Sequence, residues 1–422
     1  MKAKHYNIIV VGGGFAGVSA AISASREGKR VLLIEKYNCL GGAAAYDLVN
    51  PFMPYWTRNK DTQEKIYLSR GLFLEIVDRL KQMNAFSENS EQRFNEEILK
   101  LVLNRMALES GVELLFQTSV IGAQKDGERI STLTISNVSG LSEVSADYYI
   151  DATGDANLSM LCGYDFRLGR ESDHLCQPMT LCFRLGGVDM EKYKEIKPQI
   201  TPLYKKMREE GRITNPREDV LVFYTVAKDV LHFNSTRVVK LDPTNADDVT
   251  KAEIMAREQV FELVDFLKSN FDAFRDAVLL STGMQIGVRE SRMICGLYTL
   301  TQEDLLSCTK FEDGIAACNY DIDIHSPDGA GTSHYYFPPE AYYTIPYRCL
   351  IPQNSKNLLV AGRCVSATHE AQASLRIMPT CSNLGEAAGI AAALACQDGI
   401  DVADVCIKSL RQKLREAGAL VD

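Results

Sequence analysis

An α/β fold is predicted, in which the first and last parts of the chain build one parallel-sheet domain and an α+β lobe is inserted between them. Three observations predict it. The stretch NIIVVGGGFAGVSAAISASREGKRVLLIEK, residues 7–36, reads as strand, glycine turn, helix and strand. Two later apolar strands, in YYIDATGDANLS (148–159) and NLLVAGRCVSATHE (357–370), end in small residues where a sheet would open onto a ligand. Between them the pattern changes to scattered strands and one long helical stretch, 249–277. The domain is Rossmann-like and discontinuous: residues 1–160 form its first part, 161–345 the inserted substrate lobe, and 346–422 its returning part.

The opening unit has a physical reason at each position. Gly12 permits the tight turn, Gly14 lets the backbone approach a pyrophosphate, and Gly17 lets the helix lie close on the strand. The helix N-terminus presents unpaired N–H groups and a partial positive charge to phosphates. The second strand, Val31–Ile34, ends in Glu35, which would accept hydrogen bonds from a ribose. Residues 63–84 and 93–110 carry apolar residues at helical spacing, Gly111 ends the second helix, and 112–137 reads as a small β-meander with a Lys125-Asp126-Gly127 turn. Pro379 suits a first helical turn, and Gly385, Ala388, Gly389 and Ala392 form a small-residue face on the helix that follows. A last helix is expected over 402–416.

Composition removes several function classes. With 46 Lys+Arg against 55 Asp+Glu the net charge is −9, and no basic block tracks a phosphate backbone, so nucleic acid is not expected as a partner. The N-terminus runs directly into an apolar strand, and the stretch AAGIAAALA is too short to span a bilayer, so a cytoplasmic protein without a membrane span is expected. The 12 cysteines contain no CxxC pair, which argues against a zinc ribbon or redox dithiol; Cys39 reads as a packing residue.

The glycine fingerprint alone does not separate FAD from NAD, since an acid at the second strand's end serves either ribose. Three stretches favour FAD: CLGGAAAYD (39–47), directly after the Glu35 strand, and the strand ends at 148–159 and 357–370. With GGGFAG, Glu35, Leu40-Gly41-Gly42, Ile150-Asp151-Ala152-Thr153-Gly154-Asp155 and the late segments VRESRMICGLYTLTQEDL, YYTIPYRCLIP and NLLVAGRCVSATHEAQASLRIMPTCSNLGEAAGIAAALA, the chain resembles the FAD-dependent oxidoreductases of the glutathione-reductase-like class over nearly its whole length. It lacks their CxxxxC pair after the GG turn, which removes a dithiol relay.

The resemblance implies that the ATG and AGR strands return to FAD and that the final helix aims its N-terminus at the flavin ring. The expected cofactor contacts at the first turn are Gly12, Gly14, Phe15, Ala16 and Gly17, with Glu35 and Lys36 at the next strand end. Gly41, Gly42, Ala43 and Val120 follow, then Ala152, Thr153, Gly154 and Asp155. The late contacts are Gly362, Arg363, Met378, Gly385 and Ala388.

For catalysis, His369 and Arg376 lie between the AGR strand and the final helix, where a proton carrier and an anion clamp would be useful. In NYDIDIHSPDGAGTSHYYF (319–337), a strand over 320–325 would put Asp321, Asp323 and His325 on one face; no partner motif supports a metal, and His325 or His334 is the candidate for handling a proton. VRESR offers Arg289, Glu290 and Arg292, read first as a salt-bridged structural pair, with an Arg that faces the flavin and holds a carboxylate or phosphate as the alternative.

The leading expectation is hydride transfer between flavin N5 and a small organic substrate such as an alcohol, polyol, sugar derivative or amine, with the electron acceptor unassigned. Alternatives are a fumarate-reductase-like C=C reductase, an RNA-modifying flavoprotein, and the flavin subunit of a larger redox complex. A homo-oligomer is possible on the sequence, and no metal is expected.

Overall fold

The computed structural model describes residues 4–422. Its main sheet has five parallel strands in the order Glu113–Leu115, β2 (Val31–Ile34), β1 (Lys4–Val11), Gly140–Asp151 and Leu358–Val360. Strand β1 sits at the centre because it is apolar on both faces, with Ile8, Ile9 and Val10 fully buried. The 140–151 strand serves two sheets of contacts. Its first half pairs with the antiparallel hairpin Ser119–Asp126 and Arg129–Asn137, and its second half pairs with β1 and with the returning Leu358–Val360 strand.

Helix α1 (Phe15–Arg26) packs on this sheet and is covered by the long helix Met378–Asp398. The contact is backbone on backbone. A Cβ at Gly385 would lie 1.9 Å from the Ala16 carbonyl oxygen, and one at Gly389 would lie 2.2 Å from that of Ala20. Only glycine lets the two helices approach so closely, which explains the small-residue face of the later one.

The inserted lobe has its own core, spanning Met179 to Ile286, around a four-stranded antiparallel sheet of Val222–Tyr224, Leu231–Phe233, Phe183–Gly186 and Val278–Thr282. This is narrower than the expected 161–345. Ile294, Leu300, Ile315, Tyr343 and Ile345 belong instead to the core of the main domain, so the chain re-enters that domain near residue 290.

Helix 93–110 is observed as Glu96–Glu109, capped by the Asn95 side chain accepting from the Glu97 and Ile98 N–H groups. The stretch 63–84 is not one helix: Lys65–Tyr67 pairs with Trp56–Arg58 as a hairpin, Gly71 turns the chain at φ 58°, and the helix runs only over Leu72–Gln82. The long helix is Ala246–Asn270, followed by a short turn and the strand Val278–Thr282. A second long helix in the lobe, Met190–Glu209, holds Pro198 and Pro202 inside it and was not expected. No helix among the described residues is long and apolar enough to cross a membrane.

Candidate active site

An elongated cavity opens along the C-terminal ends of the parallel strands, the position at which open α/β sheets bind ligands. One end is bordered by Glu35, Lys36, Thr118, Val120 and Leu161. Its middle is the glycine turn Gly12–Gly14 with Phe15 and Ala16, faced by Ala152–Asp155 and Gly362–Arg363. The other end, bordered by Gly41–Ala43, Tyr46, Asp47, Gln285, Arg376 and Met378, lies where the inserted lobe meets the main domain.

The turn is built by close approach of backbones. A Cβ on Gly17 would sit 1.8 Å from the Gly12 carbonyl oxygen, so Gly17 supports the turn from behind and does not border the cavity. A Cβ on Gly42 would lie 2.8 Å from Gly14 Cα, whereas one on Gly14 would meet only Gly42 Cα at 3.8 Å and would project into the open space. Glu35 is buried, and its two carboxylate oxygens accept the Gly13 N–H at 2.5 Å and the Tyr37 N–H at 2.8 Å; burial pushes its pKa up against these bonds.

Asp151 and Asp155 of the ATG segment divide their work. Asp151 is fully buried and accepts from Thr153 and Ser159, 2.7 Å from the Ser159 N–H, which fixes the loop that follows. Asp155 borders the cavity and pairs with Arg363, whose Nε donates to the Gly154 carbonyl at 2.9 Å and whose Nη1 donates to that of Val288 at 2.6 Å. Burial raises the Asp155 pKa, but the Arg363 charge and the Ser291 hydroxyl outweigh it and leave the carboxyl below its usual range.

The final helix meets the cavity with its first turn, through Met378 and Cys381. Its N-terminal N–H groups therefore face the lobe-side end, favouring negative charge there. Gly385 and Ala388 do not reach the cavity: Gly385 is the contact with Ala16, and Ala388 is fully buried in the core. Both lie about two turns or more further along the helix than Met378, beyond the reach of the cavity.

These residues fit FAD. The glycine turn leaves room for a pyrophosphate that a Cβ on Gly14 would enter, an acid stands at the second strand's end, and the cavity extends to both sides of the turn. The family model for FAD-dependent oxidoreductases matches residues 7–414. The chain belongs to that family. It is an enzyme, and FAD is its cofactor.

More local likenesses are to the digeranylgeranylglycerophospholipid reductase of Sulfolobus acidocaldarius, 30% identical over 125 residues (27% of this chain, 26% of that protein), and to the soluble pyridine nucleotide transhydrogenase of Chromohalobacter salexigens, 45% identical over 42 residues (10% and 9%). The matched segments thus cover far less than two thirds of either relative. Among solved structures, a geranylgeranyl bacteriochlorophyll reductase-like protein from Thermoplasma acidophilum superposes with a TM-score of 0.46 at 12% identity over 98% of this chain and 84% of its own. A flavin-dependent brominase gives 0.46 at 14% identity over 98% and 83%.

Of the four residues expected to act on substrate, the structure brings only Arg376 to the cavity of this flavoenzyme. His369 is buried, its Nδ1 2.8 Å from Glu290, a fully buried carboxylate that also accepts the Gln177 N–H at 2.8 Å. That network joins the segments by which the chain leaves and re-enters the main domain, and His369 does not border the cavity. His325 shares a strand face with Asp323, as the two-residue period requires, but it lies buried against Arg237 and Thr332, each 3.1 Å from Nδ1. Burial first, then the charge of Arg289, pushes its pKa down to about 3, so it is neutral and a poor base at neutral pH. His334, across the hairpin on the strand Thr332–Tyr335, is half-exposed, pairs with Asp321 at 2.6 Å and stacks on Tyr336. Asp321, Asp323 and His334 do bring three ligand-type atoms within 4.8 Å of one another.

Sequence reasoning missed Asp47. It is 4% exposed, borders the lobe-side end of the cavity, and has one carboxyl oxygen, Oδ1, without a hydrogen-bond partner. Burial pushes its pKa up to about 7, partly offset by the Gln285 side chain and the Arg363 charge. The stretch CLGGAAAYD contained it, but nothing local marks it, because what desolvates it is the exit of the inserted lobe: Met284 N–H donates to the Tyr46 carbonyl at 2.7 Å, and Gly283 and Gly287 lie against Asp47 itself.

Proposed function

We propose that this enzyme transfers a hydride between FAD and a small organic substrate held at the lobe-side end of the cavity. The observation that carries the reading is Asp47, a buried carboxyl at that end whose pKa of about 7 lets it exchange a proton at neutral pH. FAD supplies the two-electron acceptor or donor. Oxidising a carbon that bears a hydroxyl or amine breaks its C–H bond with the electron pair and releases one proton from the heteroatom. The Asp47 carboxylate takes that proton; in the reverse direction its carboxylic acid returns it. Gln285 holds the carboxyl in place, Tyr37 holds Gln285 by donating its hydroxyl to that amide's oxygen, and the inserted lobe keeps water from the site.

The test is anaerobic mixing of the FAD-loaded enzyme with separate pools of alcohols, polyols, sugars, amines and hydroxy acids, following loss of the oxidised flavin absorbance. Bleaching by one pool, slowed when the substrate carbon carries deuterium, supports the reading. Oxygen-dependent hydroxylation or halogenation of a substrate, with no bleaching by any pool under anaerobic conditions, would refute it.

A further inference from the structure

Four arginines, Arg217, Arg237, Arg289 and Arg376, gather where the inserted lobe meets the main domain, close enough that the charges of the other three all act on Arg289. Three of them have carboxylates. Arg237 lies 3.2 Å from Glu218, Arg217 lies 2.9 Å from Asp219, and Arg376 approaches Asp323 at 4.0 Å. Arg289 has none within 4 Å among the described residues. Its Nη1 donates to the Pro178 carbonyl at 2.7 Å and to the Thr180 hydroxyl, and its Nη2 donates to the Asn234 side-chain oxygen at 3.3 Å. All three acceptors are neutral.

Arg289 is only partly exposed, its guanidinium turned inward onto Pro178, Thr180 and Asn234. A desolvated cation is costly, and three hydrogen bonds to neutral acceptors with the more distant Asp323 charge repay it only in part. Burial, followed by the repulsion of Arg376 and Arg217, lowers its pKa to about 9, and the Asp323 charge offsets this only in part. Its neighbours also have donors to spare: Arg217 Nη1 and Arg376 Nε are buried without hydrogen-bond partners. The cluster is next to the reaction end of the cavity: Arg376 borders the same cavity as Asp47, and Arg289 donates to the hydroxyl of Thr180, whose carbonyl accepts the N–H of Gly287 beside Asp47.

We infer that Arg289, assisted by Arg376, binds the carboxylate of a small organic acid, which makes the substrate of the proposed hydride transfer a monocarboxylate. The inference rests on that proposed reaction for its meaning but on the arginine cluster for its evidence. The charge count selects a monoanion. Four guanidiniums face three carboxylates, Glu218, Asp219 and Asp323, and the single positive charge left over matches one carboxylate better than a phosphate dianion. With both Nη1 N–H groups taken, the Nε–Nη2 edge of the guanidinium is the one that would hold both oxygens of the acid.

The experiment is titration of the FAD-loaded enzyme with acetate, propionate, lactate and benzoate, reading the flavin absorbance spectrum, with the corresponding amides and inorganic phosphate as separate arms. Carboxylates should give a saturable shift, and amides none. Arg289→Met should weaken carboxylate binding about 10- to 100-fold, the range for losing a charge-assisted hydrogen bond. FAD content should stay unchanged, and the thermal midpoint of the anion-free protein should be equal or higher, because an unpaired buried charge has been removed. Arg289→Lys, which keeps the charge without the fork, should fall between the two. Absence of any carboxylate shift in the unsubstituted enzyme, a preference for phosphate, or equal binding by Arg289→Met would overturn the inference. Bleaching by neutral substrates with no effect of carboxylates would overturn it while leaving hydride transfer standing. Carboxylate binding to an enzyme that no organic pool bleaches would keep the anion site and refute the reaction.

Discussion

Replacing Asp47 with asparagine tests the central chemical assignment through stability alone. The carboxyl moves from an ordinary 3.8 to about 7 on folding, a little over three pK units, which corresponds to about 4 kcal/mol of differential stability between its two protonation states. The folded protein binds the proton more tightly than the unfolded chain, so between about pH 4 and pH 7 it holds more protons, and stability falls as pH rises through that window. Below it the neutral acid costs nothing; above it the full cost of a buried carboxylate is present. Asparagine is neutral throughout. Thermal unfolding of FAD-stripped protein should therefore show Asp47→Asn gaining up to about 4 kcal/mol on the unsubstituted protein between pH 4 and pH 8, a shift of about 4 °C for a chain of this length. Glu386, which burial also raises to about 7, titrates in both proteins and cancels in the comparison. A difference between the two proteins that is the same at pH 4 and pH 8 would refute the argument. With FAD bound and a substrate found, kcat/KM for oxidation should rise through an apparent pKa near 7, and the variant should lose about 100- to 10,000-fold in turnover.

Gly14→Ala should leave the FAD-stripped protein within about 0.5 kcal/mol of normal stability but weaken FAD binding measurably in an equilibrium dialysis assay, since its Cβ enters open space facing the cavity. Gly385→Ala should do the opposite first, costing about 3 kcal/mol of stability in FAD-stripped protein by forcing the final helix off α1. His369→Ala should destabilise by about 3–5 kcal/mol, because it strands the fully buried Glu290, and the folded fraction should retain flavin reduction in a stopped-flow measurement. Asp155, held low by Arg363, contributes stability that is present above its unfolded pKa and lost as pH falls below about 4; Arg363→Met should flatten that acid limb in pH-dependent unfolding.

The parts legible in the sequence are those whose cause is local. Gly12, Gly14, Gly17 and Glu35 sit within one βαβ unit, and each has a role set by neighbours a few residues away. The hydrophobic period likewise located Glu96–Glu109, and Pro379 with the small-residue face marked Met378–Asp398. Met190–Glu209 escaped because Pro198 and Pro202 break the local rule, while the burial of Tyr193, Ile200, Tyr204 and Met207 against the lobe core overrides it. The Lys65–Tyr67 segment has apolar residues compatible with either period, and the tertiary pairing with Trp56–Arg58 decided it. The histidines misled for a related reason. Chain order placed His369 near the ring, but its side chain is claimed by Glu290, a residue 79 positions away whose burial the sequence does not announce.

The same distinction separates holding the cofactor from choosing the reaction. The cradle is built by the two ends of the chain, through β1, α1, the ATG and AGR strands and the final helix. The environment of Asp47 is set by Gly283, Gln285 and Gly287, where the inserted lobe hands the chain back, and Arg289, hydrogen-bonded only to neutral groups, follows two residues later. Each of these four can change without altering a glycine of the cradle. A bulkier residue at Gly287, whose Cβ would lie 3.1 Å from the Thr180 carbonyl and 3.6 Å from Asp47 Cβ, would shift the seam and admit water to the carboxyl, lowering its pKa toward the ordinary range. On the proposed reading, substrate and proton handling belong to a short exit segment that composition and fingerprint do not reveal, which is why the cofactor could be read from the sequence and the chemistry at its far end could not.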